Sequence, residues 1–268
     1  MTGKHCACVT SLTMIQSLRA IYEANLVPAR TLGVLPVYNR QQLAIDERAL
    51  FNERWLLKAL LCHWRTNPRR PVTRVTPFPD GVSFYAGGYL PAPYPEDRLV
   101  QEPLSDIYVE GIVGNFSFAG NPPRLTLDRD FGYVAVFVPV LYDPPSRRRR
   151  QSQEFDRLWK TIAGLIKAIR AAGGNGANAR LAVLYPEDNP LDFASTYNRQ
   201  WLQPRVERYI SDGLLMGRWQ EPPPPDWRTL LANIDLEFAT WESVLAPLGN
   251  DDLIWFYDRC RQANPLRD

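Results

Sequence analysis

The chain is poor in the residues that most often carry chemistry. Its 268 residues include two histidines, four cysteines and three methionines. Neither His5 nor His63 has a nucleophile-elbow motif near it, so nothing supports a serine–histidine pair. Cysteines at positions 6, 8, 62 and 260 are too few to staple a secreted fold, and a reduced cytoplasm is the expected setting. Charge of one sign is also missing. Lys and Arg number 31 against 29 Asp and Glu, and the resulting net charge of +2 does not by itself argue for nucleic acid or an acidic membrane. No uncharged apolar run reaches about 18 residues, so no transmembrane helix and no membrane partner are expected. The first residues, MTGKHCAC, lack the apolar core of a signal peptide, so secretion is not expected. No repeat of fixed period occurs.

What remains is a folding composition, with 45% apolar and 22% charged residues. The 24 prolines cluster at 68–95, 122–145 and 222–225, where irregular chain is expected. The eight tryptophans serve either core packing or exposed aromatic patches.

Helical spacing is visible over 10–26, through Leu12, Ile15, Leu18 and Tyr22. It recurs over 46–64, with Asn67-Pro68 as the stop. From 72 to 128 the texture turns to short β-rich runs at 72–78, 82–85, 107–118 and 124–127. Pro79-Asp80-Gly81 forms a turn among them.

Phe131–Tyr142 is almost unbroken apolar sequence, as a strand buried on both faces requires, and Pro139 cannot donate to a ladder. Residues 154–172 are the clearest amphipathic helix, with Phe155, Leu158, Trp159, Ile162, Leu165, Ile166 and Ile169 on one stripe. Gly173-Gly174 stop it. Arg180–Tyr185 reads as another buried strand. A helix is expected within 195–212, closed by Gly213, and a short strand over 214–219. Residues 226–246 read as one helix with Asp226 at its N-cap, and a last helix starts at Asn250.

The resulting expectation is an α+β fold. A mixed or antiparallel sheet is extended by a β-α-β-α-β half resembling a ferredoxin-like layer, with N- and C-terminal helices packed on it. Along the chain this gives an N-terminal helical segment over 1–70, a core over 71–221 and a C-terminal helical segment over 222–268, together one compact domain.

Several groups are candidates for chemistry. His5-Cys6-Ala7-Cys8 and Cys62-His63 place the metal-ligating residue types in two spots. Cys6, Cys8 and Cys62 could hold zinc if the N-terminal arm folds back. Cys62 and His63 are adjacent on a helix and point about 100° apart, so both would not bind one ion. The alternative for Cys62 is a small core residue. Gly173-Gly174-Asn175-Gly176 follows a helix and precedes a strand, and lacks a following Lys-Ser or Lys-Thr. It is a helix stop rather than a phosphate loop, and no nucleotide-cofactor motif is present. A glycine-rich loop in that position resembles one in ferredoxin-like RNA-binding proteins of the CRISPR type, over these few residues and in topology alone.

Arg147, Arg148, Arg149 and Arg150 are the densest charge cluster. They form either a solvated loop or, with Arg69, Arg70 and Arg74, a patch for nucleic acid. Asp143 ends one buried strand; Tyr185, Glu187 and Asp188 end the next. On parallel strands these would share the rim where open α/β sheets bind ligands, and could act there as acid and base or hold a cation. Acidic residues after strands also serve simply as turn formers. Pro222–Pro225 is a stiff segment beside Trp219 and Trp227, which makes those tryptophans candidates for a binding surface.

The expected function is that of a non-catalytic accessory or assembly protein acting through a protein partner. A small-molecule enzyme using the strand-end carboxylates and tyrosines is the second reading. An RNA-binding protein using the arginine run is the third.

Overall fold

The computed structural model describes residues 13, 15–17, 19–20, 51–67, 83–85, 88–90, 107–119, 124–129, 131–141, 151–188, 198–215 and 225–263. The organising element is the buried strand β7, Val134–Pro139, in which all six residues are buried. Its side chains alternate between two cores. Val134, Val136 and Val138 enter one, while Ala135 and Phe137 enter the other. A strand covered on both faces has no polar side, which is why this stretch reads as continuous apolar sequence.

Helix α1, Glu53–Thr66, precedes the sheets. The strands β1 Ser83–Tyr85, β4 Gly111–Gly114, β7, β8 Ala179–Tyr185 and β9 Asp235–Thr240 form a five-stranded mixed sheet in the order β1-β4-β7-β8-β9. β7, β8 and β9 are parallel neighbours, whereas β1 and β4 run antiparallel. Strands β2 Gly88–Leu90, β3 Ile107–Val109, β5 Phe116–Ala119 and β6 Arg124–Leu127 form a second sheet in the order β3-β2-β6-β5.

Helix α2, Gln151–Ala171, joins β7 to β8. Helices α3 Arg199–Leu215 and α4 Trp227–Asn233 join β8 to β9. Leu158, Ile162, Leu165 and Ile169 of α2, Leu202 and Val206 of α3, and Leu230 and Leu231 of α4 share one core with the second sheet's Leu90, Val109, Leu125 and Leu127. On the other face lie α1, α5 Trp241–Leu245 and α6 Asp251–Ala263, with Ile15 buried among them. The expected packing of N- and C-terminal helices on a mixed sheet is therefore present. Residues 13, 15–17 and 19–20 are helical, and Arg19 pairs with Asp252 at 2.9 Å.

Local chemistry sets the ends of these elements. Asn52 opens α1, its Oδ1 accepting from the amides of Arg54 and Trp55 at 3.1 and 3.2 Å, so the helix begins later than Asp46. Gly173, at φ +76°, closes α2. Its amide donates to Arg170 O and that of Gly174 to Ile169 O, the paired bonds of a Schellman stop. Asn250 caps α6 through its Oδ1, which accepts from Asp252 and Leu253.

Four expectations are corrected. The run 107–118 is three strands, broken at Glu110 and Asn115. Gly213 does not close its helix; α3 continues to Leu215, so Leu214 and Leu215 are helical rather than strand. Residues 216–219 lie outside the described residues. The single helix over 226–246 is α4, then β9, then α5. Ile234, Leu236 and Phe238 fit a period of two as well as a helical stripe, and pairing with β8 decides between them. Asp226 sits at the N-cap of α4 without capping it: its backbone, at φ −94° and ψ 10°, is not the extended conformation of an N-cap, and its Oδ2 pairs with Arg170 at 3.2 Å.

The described strands also do not form a ferredoxin-like unit. Such a split βαβ leaves a gap between its parallel strands, whereas β7, β8 and β9 bond directly to one another in chain order.

Candidate functional site

The carboxyl ends of β8 and β9 carry the densest polar network among the described residues. Thr240 ends β9 and caps α5, its Oγ1 accepting from Ser243 N at 3.1 Å. The Ser243 hydroxyl returns a bond to Thr240 O at 2.8 Å. This turn fixes Glu242 in the first turn of α5. One Glu242 oxygen accepts from the Glu187 amide at 2.9 Å. The other accepts from Tyr257 OH at 2.5 Å and Arg261 Nη1 at 3.4 Å. Arg261 also bonds Asp188 through Nη2, and its guanidinium lies 5.8 Å from the Tyr257 ring centre.

Tyr257 and Arg261 are four residues apart on α6 and so occupy one helix face. Burial, and then the bond to Glu242, push the Tyr257 phenol well above its ordinary pKa. It is a hydrogen-bond donor at neutral pH. Beside it Trp241, fully buried, donates its indole N–H to Val140 O at 2.8 Å, which joins α5 to the end of β7.

The rim is therefore cross-linked from within. Glu242 is held through both oxygens by Tyr257, Arg261 and a backbone amide, while Asp188 is held through one oxygen by Arg261 and its side chain stays 52% exposed. The topology works in the same direction. Ligand crevices in open α/β sheets form where neighbouring connections leave toward opposite faces. Here α2, α3 and α4, which make both crossovers, lie on one face.

The candidates named above separate as follows. Asp188 joins the network through its carboxylate, and Glu187 joins through its backbone amide. Tyr185 is only 9% exposed and packs in the core on the α2 side, away from Glu242 and Tyr257, which belong to the α6 side. Trp227 is a core residue at 6% exposure, with Arg228 4.8 Å over its ring, rather than a surface anchor. Cys62 is buried in α1, and no group of three metal-ligating side chains converges among the described residues. Asp143, Arg147, Arg148, Arg149, Arg150, Trp219, Cys6 and Cys8 lie outside the described residues.

Glu242, Tyr257 and Arg261 were not foreseen, and neither was Glu110. Glu110 sits in the break between β3 and β4, 2% exposed, with Arg54 Nε 3.7 Å from its carboxylate. The i, i+4 pairing of Tyr257 with Arg261 was the one available signal in the sequence. At the opposite end of the parallel strands, Arg180 bridges Asp235 at 3.0 Å and Glu237 at 3.3 Å. Tyr133 nearby is raised above its usual pKa by burial, against the opposing pull of Arg180.

No protein-family model, curated protein or solved structure matches this chain. Among the described residues no helix is long and apolar enough to cross a membrane.

Proposed function

We propose that this chain is a non-catalytic accessory or assembly protein, working in the cytoplasm through contacts with another protein. The observation that carries this reading is the internal closure of the strand-end rim. The carboxylates best placed for acid–base work, Asp188 and Glu242, are engaged by Arg261 and Tyr257. An acid–base pair needs a carboxylate within hydrogen-bond reach of substrate. Here Glu242 would first have to leave bonds made by both of its oxygens, which tie α6 to the sheet, and Asp188 has one of its two oxygens paired with Arg261.

The enzyme reading keeps one observation in its favour, the location of these groups at the carboxyl ends of parallel strands. The test uses the pair Asp188→Asn and Glu242→Gln. On the accessory reading both variants lose stability, bind no small molecule differently from the parent, and keep the native complex. A small molecule that co-purifies with the parent and is lost from both variants would overturn it.

A further inference from the structure

We propose that the stripe on α3 made of exposed Arg205 and Arg208 with Trp201, itself partly buried against the core, is where the partner docks, and that the partner presents an acidic, carboxylate-bearing polypeptide segment to it. The inference rests on the accessory reading and gives it a place and a chemistry. Residues 201, 205 and 208 fall at i, i+4 and i+7, and so line one side of the helix. Leu202 and Val206, one position on, turn into the core and are 0% exposed. Arg205 and Arg208 are exposed and Trp201 is half-exposed.

The stripe is preorganised. Arg205 lies over Trp201, its guanidinium carbon 3.6 Å from the ring centre, and its Nη1 donates to Trp201 O at 3.1 Å. Pro204 sits inside the helix and has no N–H, so exposed Gln200 keeps a carbonyl without its usual donor four residues on. A guanidinium already fixed in place loses less freedom on forming a two-pronged bond to a carboxylate. Tryptophan and arginine are also the side chains on which interface energy concentrates.

Charge complementarity identifies the occupant. Arg170 has Asp226 and Arg228 has Glu207, while Arg199 bonds the carbonyls of Leu231 and Ile234 at the end of α4. Among the described residues Arg205 and Arg208 have no carboxylate partner. The acid nearest in sequence, Glu207, is engaged by Arg228 at 3.2 Å and Gln203 at 3.3 Å. Among the arginines of α2, α3 and α4 whose side chains are described, the exposed ones without a carboxylate are therefore the two on the stripe. A single-stranded nucleic acid would want several open aromatic faces for its bases. The stripe offers one tryptophan, already covered on one side by Arg205, and this favours a polypeptide.

The test places a photo-crosslinking phenylalanine analogue at exposed Ser211, one turn beyond Arg208 on α3, or at exposed Asp258 on α6, in the full chain expressed in its source cells. The expected result is capture from position 211 of one protein, through a peptide with several Asp or Glu residues near the crosslink. Arg205→Glu with Arg208→Glu lowers the yield at least about tenfold while the melting curve holds. Capture of RNA at 211 overturns the polypeptide assignment. Capture that ignores the charge reversal overturns the role of the arginines. Capture from 258 alone moves the docking surface elsewhere and leaves the accessory reading intact. No macromolecule captured at either position overturns both.

Discussion

Replacing Tyr257 with phenylalanine removes one hydroxyl and leaves the ring in its packing. That hydroxyl donates to Glu242 at 2.5 Å from a residue only 4% exposed. A hydrogen bond to a charged acceptor is worth about 1.5–3 kcal/mol. Glu242 keeps the Glu187 amide and Arg261, so it is not orphaned, and the expected loss is about 2 kcal/mol at neutral pH. For a chain of this size that is a fall in Tm of roughly 4–8 °C. Guanidinium denaturation should show a lower midpoint at unchanged slope.

The pH dependence gives the prediction a sign. The folded pKa of Tyr257 is raised, first by burial and then by Glu242. Its contribution is complete below the unfolded value of about 10 and declines as pH rises above it, by about 1.4 kcal/mol per unit, because only the unfolded chain ionises. The gap between parent and Tyr257→Phe should therefore narrow above about pH 10. An unchanged midpoint at neutral pH, or a gap that stays constant to pH 11, would refute the buried donor–carboxylate bond.

Three further outcomes follow from the same geometry. Gly114 has φ +149°, and a Cβ there would lie 2.3 Å from Tyr133 O, so Gly114→Ala should cost about 3 kcal/mol or more, read as a large drop in denaturation midpoint. Trp241→Phe leaves Val140 O without its indole donor and should lose about 1–3 kcal/mol, with loss of a blue-shifted, quencher-protected component of the tryptophan emission. Arg180→Met removes the guanidinium 3.3 Å from Glu237, whose side chain is 12% exposed, and should cost about 1–3 kcal/mol at neutral pH, read as a lower denaturation midpoint.

The central layers were legible because their signals are strong and local. The apolar run around Val134–Pro139, the stripe from Leu158 to Ile169 and the Gly173-Gly174 stop each follow from a single physical rule acting over a few residues. The stretch from Trp227 to Leu245 was not legible, because its apolar residues satisfy two periods at once. The neighbouring strand decides, pairing Val183 with Phe238 and Leu181 with Leu236. Gly213 misled because glycine marks a helix end only where a positive φ is needed, and α3 runs past it.

The site was half legible. Asp188 and Glu187 could be placed at a strand end from sequence order. Their partners Arg261 and Glu242 lie 73 and 55 positions away, and no local pattern joins them. Tyr185 was assigned to the rim by its position, but the alternation of β8 turns it to the other face.

Native mass spectrometry of the protein taken directly from its source cells tests the central claim most directly. The account predicts a defined complex with a second protein, dissociated by Arg205→Glu with Arg208→Glu and retained in Tyr257→Phe. A chain without a protein partner, carrying a small molecule that Asp188→Asn and Glu242→Gln both release, would contradict it.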